Sequence, residues 1–278
     1  MKKIYGLLAV LVVFAMALTA CSSSNQNSSE NTNQGSSQNG QQAGGQNLLQ
    51  KIKKAGVINI GTEGTYAPYT FHDKSGKLTG FDVELAQEVA KRIGVKPNFV
   101  ETKWDGMFAG LNAQRFDMVA NEVGIRPDRE QKYDFSKPYI FSKAALIVSQ
   151  NNNTIKTFAD LKGKKAAQSL TSNFADIAKK NGATIVRADG FNEAVSLLTS
   201  GRVDASINEE YSFKSIKQEN PSTSIKIVAE QPAAGSGFLF NKGNKELVDA
   251  ADKALDEMKK DGTYLRISKK YFGADVSK

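Results

Sequence analysis

Short runs of β-branched and apolar residues alternate along this chain with longer stretches whose apolar side chains recur every three or four positions. The short runs predict strands at Val57–Ile60, Asn98–Val100, Phe116–Val119, Ala144–Val148, Lys164–Ala167, Thr184–Val186, Val203–Ser206, Ile225–Val228 and Gly237–Phe240. From Asp82 onward Leu85, Ala86, Val89, Ala90 and Ile93 share one helical face, and Gly94 supplies the left-handed stop. Leu247, Ala251, Leu255 and Met258 repeat that pattern and stop at Gly262. Alternating strands and helices predict an α/β protein with largely parallel sheets.

Two stretches repeat one another. Leu111, Arg115, Asp117, Asn121 and Glu122 stand at the same spacing as Leu198, Arg202, Asp204, Asn208 and Glu209, each set spanning a helix end, a loop and a strand. If this is one unit used twice, Asn121–Glu122 and Asn208–Glu209 leave the carboxyl ends of equivalent strands. Ligands of α/β sheets bind at such ends, so two lobes facing one another there would form a cleft.

The pattern differs before residue 48. Lys2 and Lys3 precede an apolar run from Ile4 to Leu18 that ends in L-T-A-C at 18–21, the layout of a secretory signal peptide over residues 1–20. A transmembrane span needs about 20 apolar residues, more than this run offers. The L-T-A-C string resembles the bacterial lipobox, which implies cleavage before Cys21 and a diacylglyceryl group on its sulfur. Residues 21–47 are nearly all Ser, Asn, Gln and Gly, with Glu30 the one charged residue. Such a stretch buries too little apolar surface to offset its ordering entropy and reads as a tether between a lipid-anchored cysteine and a folded body. The expected location is the extracytoplasmic face of a cell membrane.

Composition narrows the function. The 278 residues are 40% hydrophobic and 24% charged, which excludes wholesale disorder and a multi-spanning membrane protein. The formal charge of +8 comes from basic residues interspersed with acidic ones, so no nucleic-acid partner is expected. One cysteine and one histidine, His72, leave no metal-ligating cluster and no Cys-His catalytic pair. No cofactor and no catalytic residue is assigned.

The body nevertheless carries specific motifs. G-F-D-V-E-L-A-Q-E-V-A-K-R-I at 80–93, E-G-T-Y-A-P-Y at 63–69, R-P-D-R at 126–129, Y-D-F-S-K-P-Y at 133–139 and K-D-G-T at 260–263 resemble the polar amino-acid-binding family of bacterial extracytoplasmic solute receptors, family 3, over about residues 57–276. T-K-W-D-G-M at 102–107 together with E-G-T-Y is most similar to the cystine-binding branch. The resemblance implies a two-lobed, type II periplasmic-binding-protein fold. Lobe 1 would comprise residues 48–141 and 236–278 and lobe 2 residues 142–235, joined by two hinge strands near Pro138–Ala144 and Ala233–Phe238. It further implies a monomer that closes over one amino acid, L-cystine in this branch, and docks on an ABC permease with its ATPase.

The residue chemistry agrees. A zwitterion needs a cation for its carboxylate, an anion for its ammonium group and a surface for its side chain. By resemblance Arg129 pairs with the α-carboxylate, and its planar fork suits two parallel hydrogen bonds. Gly124 offers a backbone N–H to the same group, while Ser172 and Asn173 open a helix whose free N–H groups suit it from the other lobe. Glu209 matches the position that takes the α-ammonium, where relatives usually have aspartate. Tyr66 and Trp104 match an aromatic pair that sandwiches the ligand side chain. Glu63 can meet the distal ammonium of a ligand as long as cystine, with Glu122 and Asp128 as further candidates. Rival readings are a receptor for another polar or sulfur amino acid, a lyase or hydrolase using Glu122 and Glu209 as acid and base, and an adhesin on the same fold.

Overall fold

In the computed structural model, which describes residues 47–278, the chain opens with a capped helix. The Asn47 side chain accepts from the Gln50 amide at 2.9 Å, and α1 (Leu48–Ala55) ends at Gly56, left-handed at φ 71°. The signal peptide, the tether and the Cys21 lipidation site lie outside the described residues.

The first sheet is built from β1 (Val57–Thr62), β5 (Lys96–Glu101), β6 (Met118–Gly124), β7 (Tyr133–Phe135) and β13 (Ser236–Asn241). Between β1 and β5 come three very short strands, β2 (Thr65–Tyr66), β3 (Thr70–His72) and β4 (Leu78–Thr79), which form a small antiparallel sheet, and then α2 (Phe81–Ile93). Strands of two or three residues have no period, which is why hydrophobic patterning does not foretell them. Helices α3 (Trp104–Asn112) and α4 (Pro127–Glu130) flank β6 in sequence. The second sheet comprises β8 (Lys143–Ser149), β9 (Lys165–Gln168), β10 (Thr184–Arg187), β11 (Ala205–Glu209) and β12 (Ile225–Pro232), connected through α5 (Asn173–Lys180), α6 (Phe191–Thr199) and α7 (Glu210–Glu219). After β13, α8 (Lys245–Lys260) and α9 (Thr263–Phe272) complete the first lobe. Gly262, expected as a stop, is the left-handed residue between these two helices.

The sheet orders are β5-β1-β6-β13-β7 and β10-β9-β11-β8-β12. In each, three strands run parallel, and the remaining two pairings are antiparallel. The expectation of largely parallel sheets therefore fails for half of the pairings. The chain passes between the sheets through 136–142 and back through 233–235. Strands β8 and β13, which follow these crossings, enter their sheets opposed to the parallel strands.

The internal repeat occupies equivalent places, β6 and β11 being the central strands of the two sheets. Asp117 accepts from the Asn59 amide at 2.8 Å and Asp204 from the Lys165 amide at 2.8 Å, each aspartate tying its loop to the parallel neighbour strand. Phe116, expected to start a strand, plugs the core just before β6 instead. A Cβ at Gly61 would lie 2.7 Å from its ring and one at Gly110 2.6 Å, so both glycines make room for it. The strand itself continues past Val119 and Asn121–Glu122 to Gly124.

Candidate functional site

Between the two sheets lies a cavity lined by residues of both. Its wall includes Glu63, Tyr66, Trp104, Glu122, Ser172 and Asn173, six of the nine residues expected to bind ligand. Gly124 and Arg129 adjoin it: a Cβ on Gly124 would lie 3.7 Å from Arg129 Nη1 and 4.0 Å from Asn173 Nδ2. Glu209 is set back from the wall, and its neighbour Asn208 lines the cavity. Asp128 is exposed and paired with Arg126 at 2.9 Å.

Local structure explains each placement. Glu63 follows directly on β1, where its backbone N–H donates to Asn121 Oδ1 at 2.8 Å and its carboxylate accepts from Asn121 Nδ2 at 2.7 Å. Glu122 sits in β6 with φ 52°, a conformation costing of order 1–3 kcal/mol in a non-glycine residue. The kink is held by the Glu122 amide, which donates to Asp82 Oδ2 at 2.5 Å, an oxygen that also accepts from the Tyr139 hydroxyl at 2.7 Å. Its carboxylate accepts from Ser236 Oγ at 2.5 Å. Ser172 is the N-cap of α5 and accepts from the Ala175 amide at 3.0 Å, so its hydroxyl serves the helix while the earlier N–H groups stay near the cavity.

Arg129 is only 5% exposed. It donates to the Gly124 carbonyl at 3.0 Å and to the Thr171 carbonyl of the second lobe at 3.4 Å, and its guanidinium lies 5.4 Å from the Trp104 ring centroid and 5.2 Å from that of Phe108. Burial lowers its pKa to about 10, so it stays cationic at neutral pH. The acids respond in the opposite sense. Burial raises Glu63 to about 7 against the hydrogen bond from Asn121, and raises Asp82 to about 7. Glu122 and Glu209, one from each lobe, are also raised, Glu122 by burial first and the nearby Glu209 charge second. The Glu209 carboxyl lies beside Ser142 on the first crossing, with Oε2 buried and without a hydrogen-bond partner. Among the described residues no group of three His, Cys, Asp or Glu side chains is arranged to hold a metal ion.

Several polar residues at the site escape sequence reasoning. Asn208 accepts from the Tyr66 hydroxyl at 2.8 Å, joining the lobes, and Gln168, Ser169 and Phe191 contribute to the second-lobe wall. Their repeat spacing marks Asn121 and Asn208 as structurally equivalent without saying what either side chain reaches.

Residues 58–274 match the family of bacterial extracellular solute-binding proteins, family 3. The chain belongs to this family. This solute-binding protein is 47% identical to the L-cystine-binding protein TcyA of Bacillus subtilis, with all of both chains covered. It is an amino-acid-binding protein rather than an enzyme. A solved ancestral arginine-binding protein bound to glutamine shares 40% identity and a TM-score of 0.75, over 78% of this chain and 98% of that one. The L-cystine solute receptor of Neisseria gonorrhoeae, in its unliganded open conformation, shares 46% identity but a TM-score of only 0.56, over 83% and 99%. The more similar sequence thus has the lower TM-score. Two hydrogen bonds join the lobes here, from the Tyr66 hydroxyl to Asn208 and from Arg129 to the Thr171 carbonyl.

Proposed function

We propose that this protein is the lipid-anchored receptor of an ABC-type importer and that it captures L-cystine between residues 48–141 with 236–278 on one side and residues 142–235 on the other. The observation that carries the ligand class is the buried Arg129 guanidinium, packed on Trp104 beside the start of α5. A cation held in low dielectric and flanked by free helix N–H groups suits a carboxylate from both sides. Glu122, on the cavity wall, serves the α-ammonium in place of Glu209, which is set back beside Ser142. Tyr66 and Trp104 face the disulfide-bearing chain, which aromatic rings accommodate well. Glu63 takes the distal ammonium, and its hydrogen bonds with Asn121 support that role by orienting its carboxylate. Two ammonium groups explain why the cleft gathers several acids around one arginine. The likeness to cystine-binding relatives supports the same ligand.

Closure is a two-state equilibrium that ligand shifts by binding the closed form better. The closed receptor would then present its cargo to a permease energised by an ATPase, with Cys21 and its lipid keeping it at the extracytoplasmic face of the membrane. The test is thermal unfolding with each amino acid, cystine included, followed by calorimetry. A ligand at 100 times its dissociation constant adds about 2.7 kcal/mol, and each kcal/mol raises the midpoint of a body this size by roughly 2–4 °C. Stabilisation by cystine above all others is expected. Stabilisation by arginine or glutamine with none from cystine would discard the specificity.

A further inference from the structure

Asp105 stands in the first turn of α3, directly after Trp104, and its carboxylate reaches into the second lobe. Oδ1 accepts from the Thr171 amide at 3.1 Å and the Thr171 hydroxyl at 2.8 Å, and Oδ2 accepts from the Leu170 amide at 3.3 Å. Arg187, also of the second lobe, lies 3.9 Å from Oδ2. Residues 170–171 form the turn that leads into the Ser172 cap of α5. Leu170 is 46% exposed, so apolar burial does not hold this turn in place. The Thr171 carbonyl accepts from Arg129. The first lobe therefore grips one turn of the second from both sides, Asp105 on its amides and Arg129 on its carbonyl.

We propose that Asp105 is a positioning residue, a clasp that engages only when the lobes shut, holds the start of α5 against Arg129 and sets how long a bound amino acid stays. The cystine assignment is not needed for this, only an amino-acid ligand. In an open form the Asp105 oxygens are hydrated, so the three contacts add free energy to the closed form alone. Hydrogen bonds to an ionised acceptor are about twice as strong as neutral ones. The ordinary role of an acid in a first helical turn, favourable to the helix dipole, is the same in both forms and cancels between them. Among the described residues two other ion pairs cross the cleft, Lys103–Asp189 and Arg126–Asp176, the latter at 2.9 Å, and neither touches the 170–171 turn.

Ligand enters the open form and leaves only after reopening, so the clasp acts on dissociation. The experiment is stopped-flow binding with L-cystine as the probe, or L-arginine if cystine does not bind, on wild type, Asp105→Ala and Asp105→Asn. Asp105→Ala should dissociate about 10–100-fold faster, as expected for losing charge-assisted hydrogen bonds. Its association rate should stay within about twofold, with the unfolding midpoint of the unliganded protein unchanged. Asp105→Asn should fall between, since its one amide oxygen keeps part of the set. Hydrogen exchange supplies the readout that a merely structural role would not move: ligand should protect the Leu170 and Thr171 amides in wild type and fail to protect them in Asp105→Ala. Unchanged dissociation, slower association alone, or a lower unliganded midpoint with protection lost throughout the chain would each overturn the clasp. If arginine binds and cystine does not, the cystine assignment falls and the clasp is judged on arginine.

Discussion

In the first lobe Asn121 binds both the backbone and the carboxylate of Glu63, and the next residue, Glu122, lines the cavity while its carboxylate accepts from Ser236. In the second lobe the residue at the same repeat position, Asn208, accepts from the Tyr66 hydroxyl and the Glu209 amide, while Glu209 turns away from the cavity wall toward Ser142. The scaffolds match down to the aspartate that ties each loop to its sheet. What differs is the kind of chemistry each lobe brings. The first contributes charged and aromatic side chains, Glu63, Glu122, Arg129, Tyr66 and Trp104. The second contributes the start of a helix, the neutral polar groups Ser172, Asn173, Gln168 and Asn208, and the rings of Phe174 and Phe191, but no charge. A duplicated unit thus conserves hydrogen bonds that hold its backbone and diverges where the side chain leaves the sheet. The division also fits an order of events in which the first lobe receives the ligand and the second closes over it.

Removing the charged half should cost most. Arg129→Ala should lose about 2–5 kcal/mol of ligand affinity by calorimetry, the scale for truncating a buried charged partner. Arg129→Lys should lose a large part of that because a lysine has no fork. Ser172→Ala, on the neutral side, should instead lower stability by about 0.5–2 kcal/mol through the lost cap, with little effect on affinity.

The acid pair shared between the lobes gives a second, smaller effect. Glu122 and Glu209 hold protons in the folded chain at pH values where the unfolded chain has lost them. Their contribution to stability is therefore fully present below about 4.5 and is lost as pH rises through the folded values, about 8 for Glu209. Glu63 and Asp82, raised to about 7, act in the same direction. The unliganded protein should unfold at a lower temperature near pH 8 than near pH 5, since all four acids act in that direction. Glu122→Gln and Glu209→Gln should each flatten that profile. A profile unchanged in both variants would mean the pair does not couple across the lobes.

The smallest effect tests the likeness rather than the difference. Asp117→Asn and Asp204→Asn should each cost about 1 kcal/mol in denaturant unfolding, as expected for one hydrogen bond to a charged acceptor. Equal costs support one unit used twice, whereas a gap of more than about 1 kcal/mol would argue that the two loops are held differently.

Much of this was legible beforehand, for a definite reason. The face of α2 reads directly from Leu85, Ala86, Val89, Ala90 and Ile93 because a buried stripe must repeat at the helical period, and all five are buried. Six of the nine expected ligand residues share one cavity because their motifs occupy the ends of strands and helices facing it. The expected end of β6 at Val119 failed because pairing with β13, more than a hundred residues away, carries the strand through Asn121 and Glu122 to Gly124. The small sheet before α2 was invisible because its strands are too short to alternate.

By itself, the sequence determined the α/β alternation, the repeat, the family motifs and the residue types that suit a zwitterion, since all of these are carried by local spacing or by residue identity. Tertiary structure alone decided strand direction, which acids lie together away from water, that Asn208 and not Glu209 lines the cavity, and that Asp105 meets residues 170–171 of the other lobe. Those outcomes depend on desolvation and on contacts between residues far apart in the chain, and no local period records either.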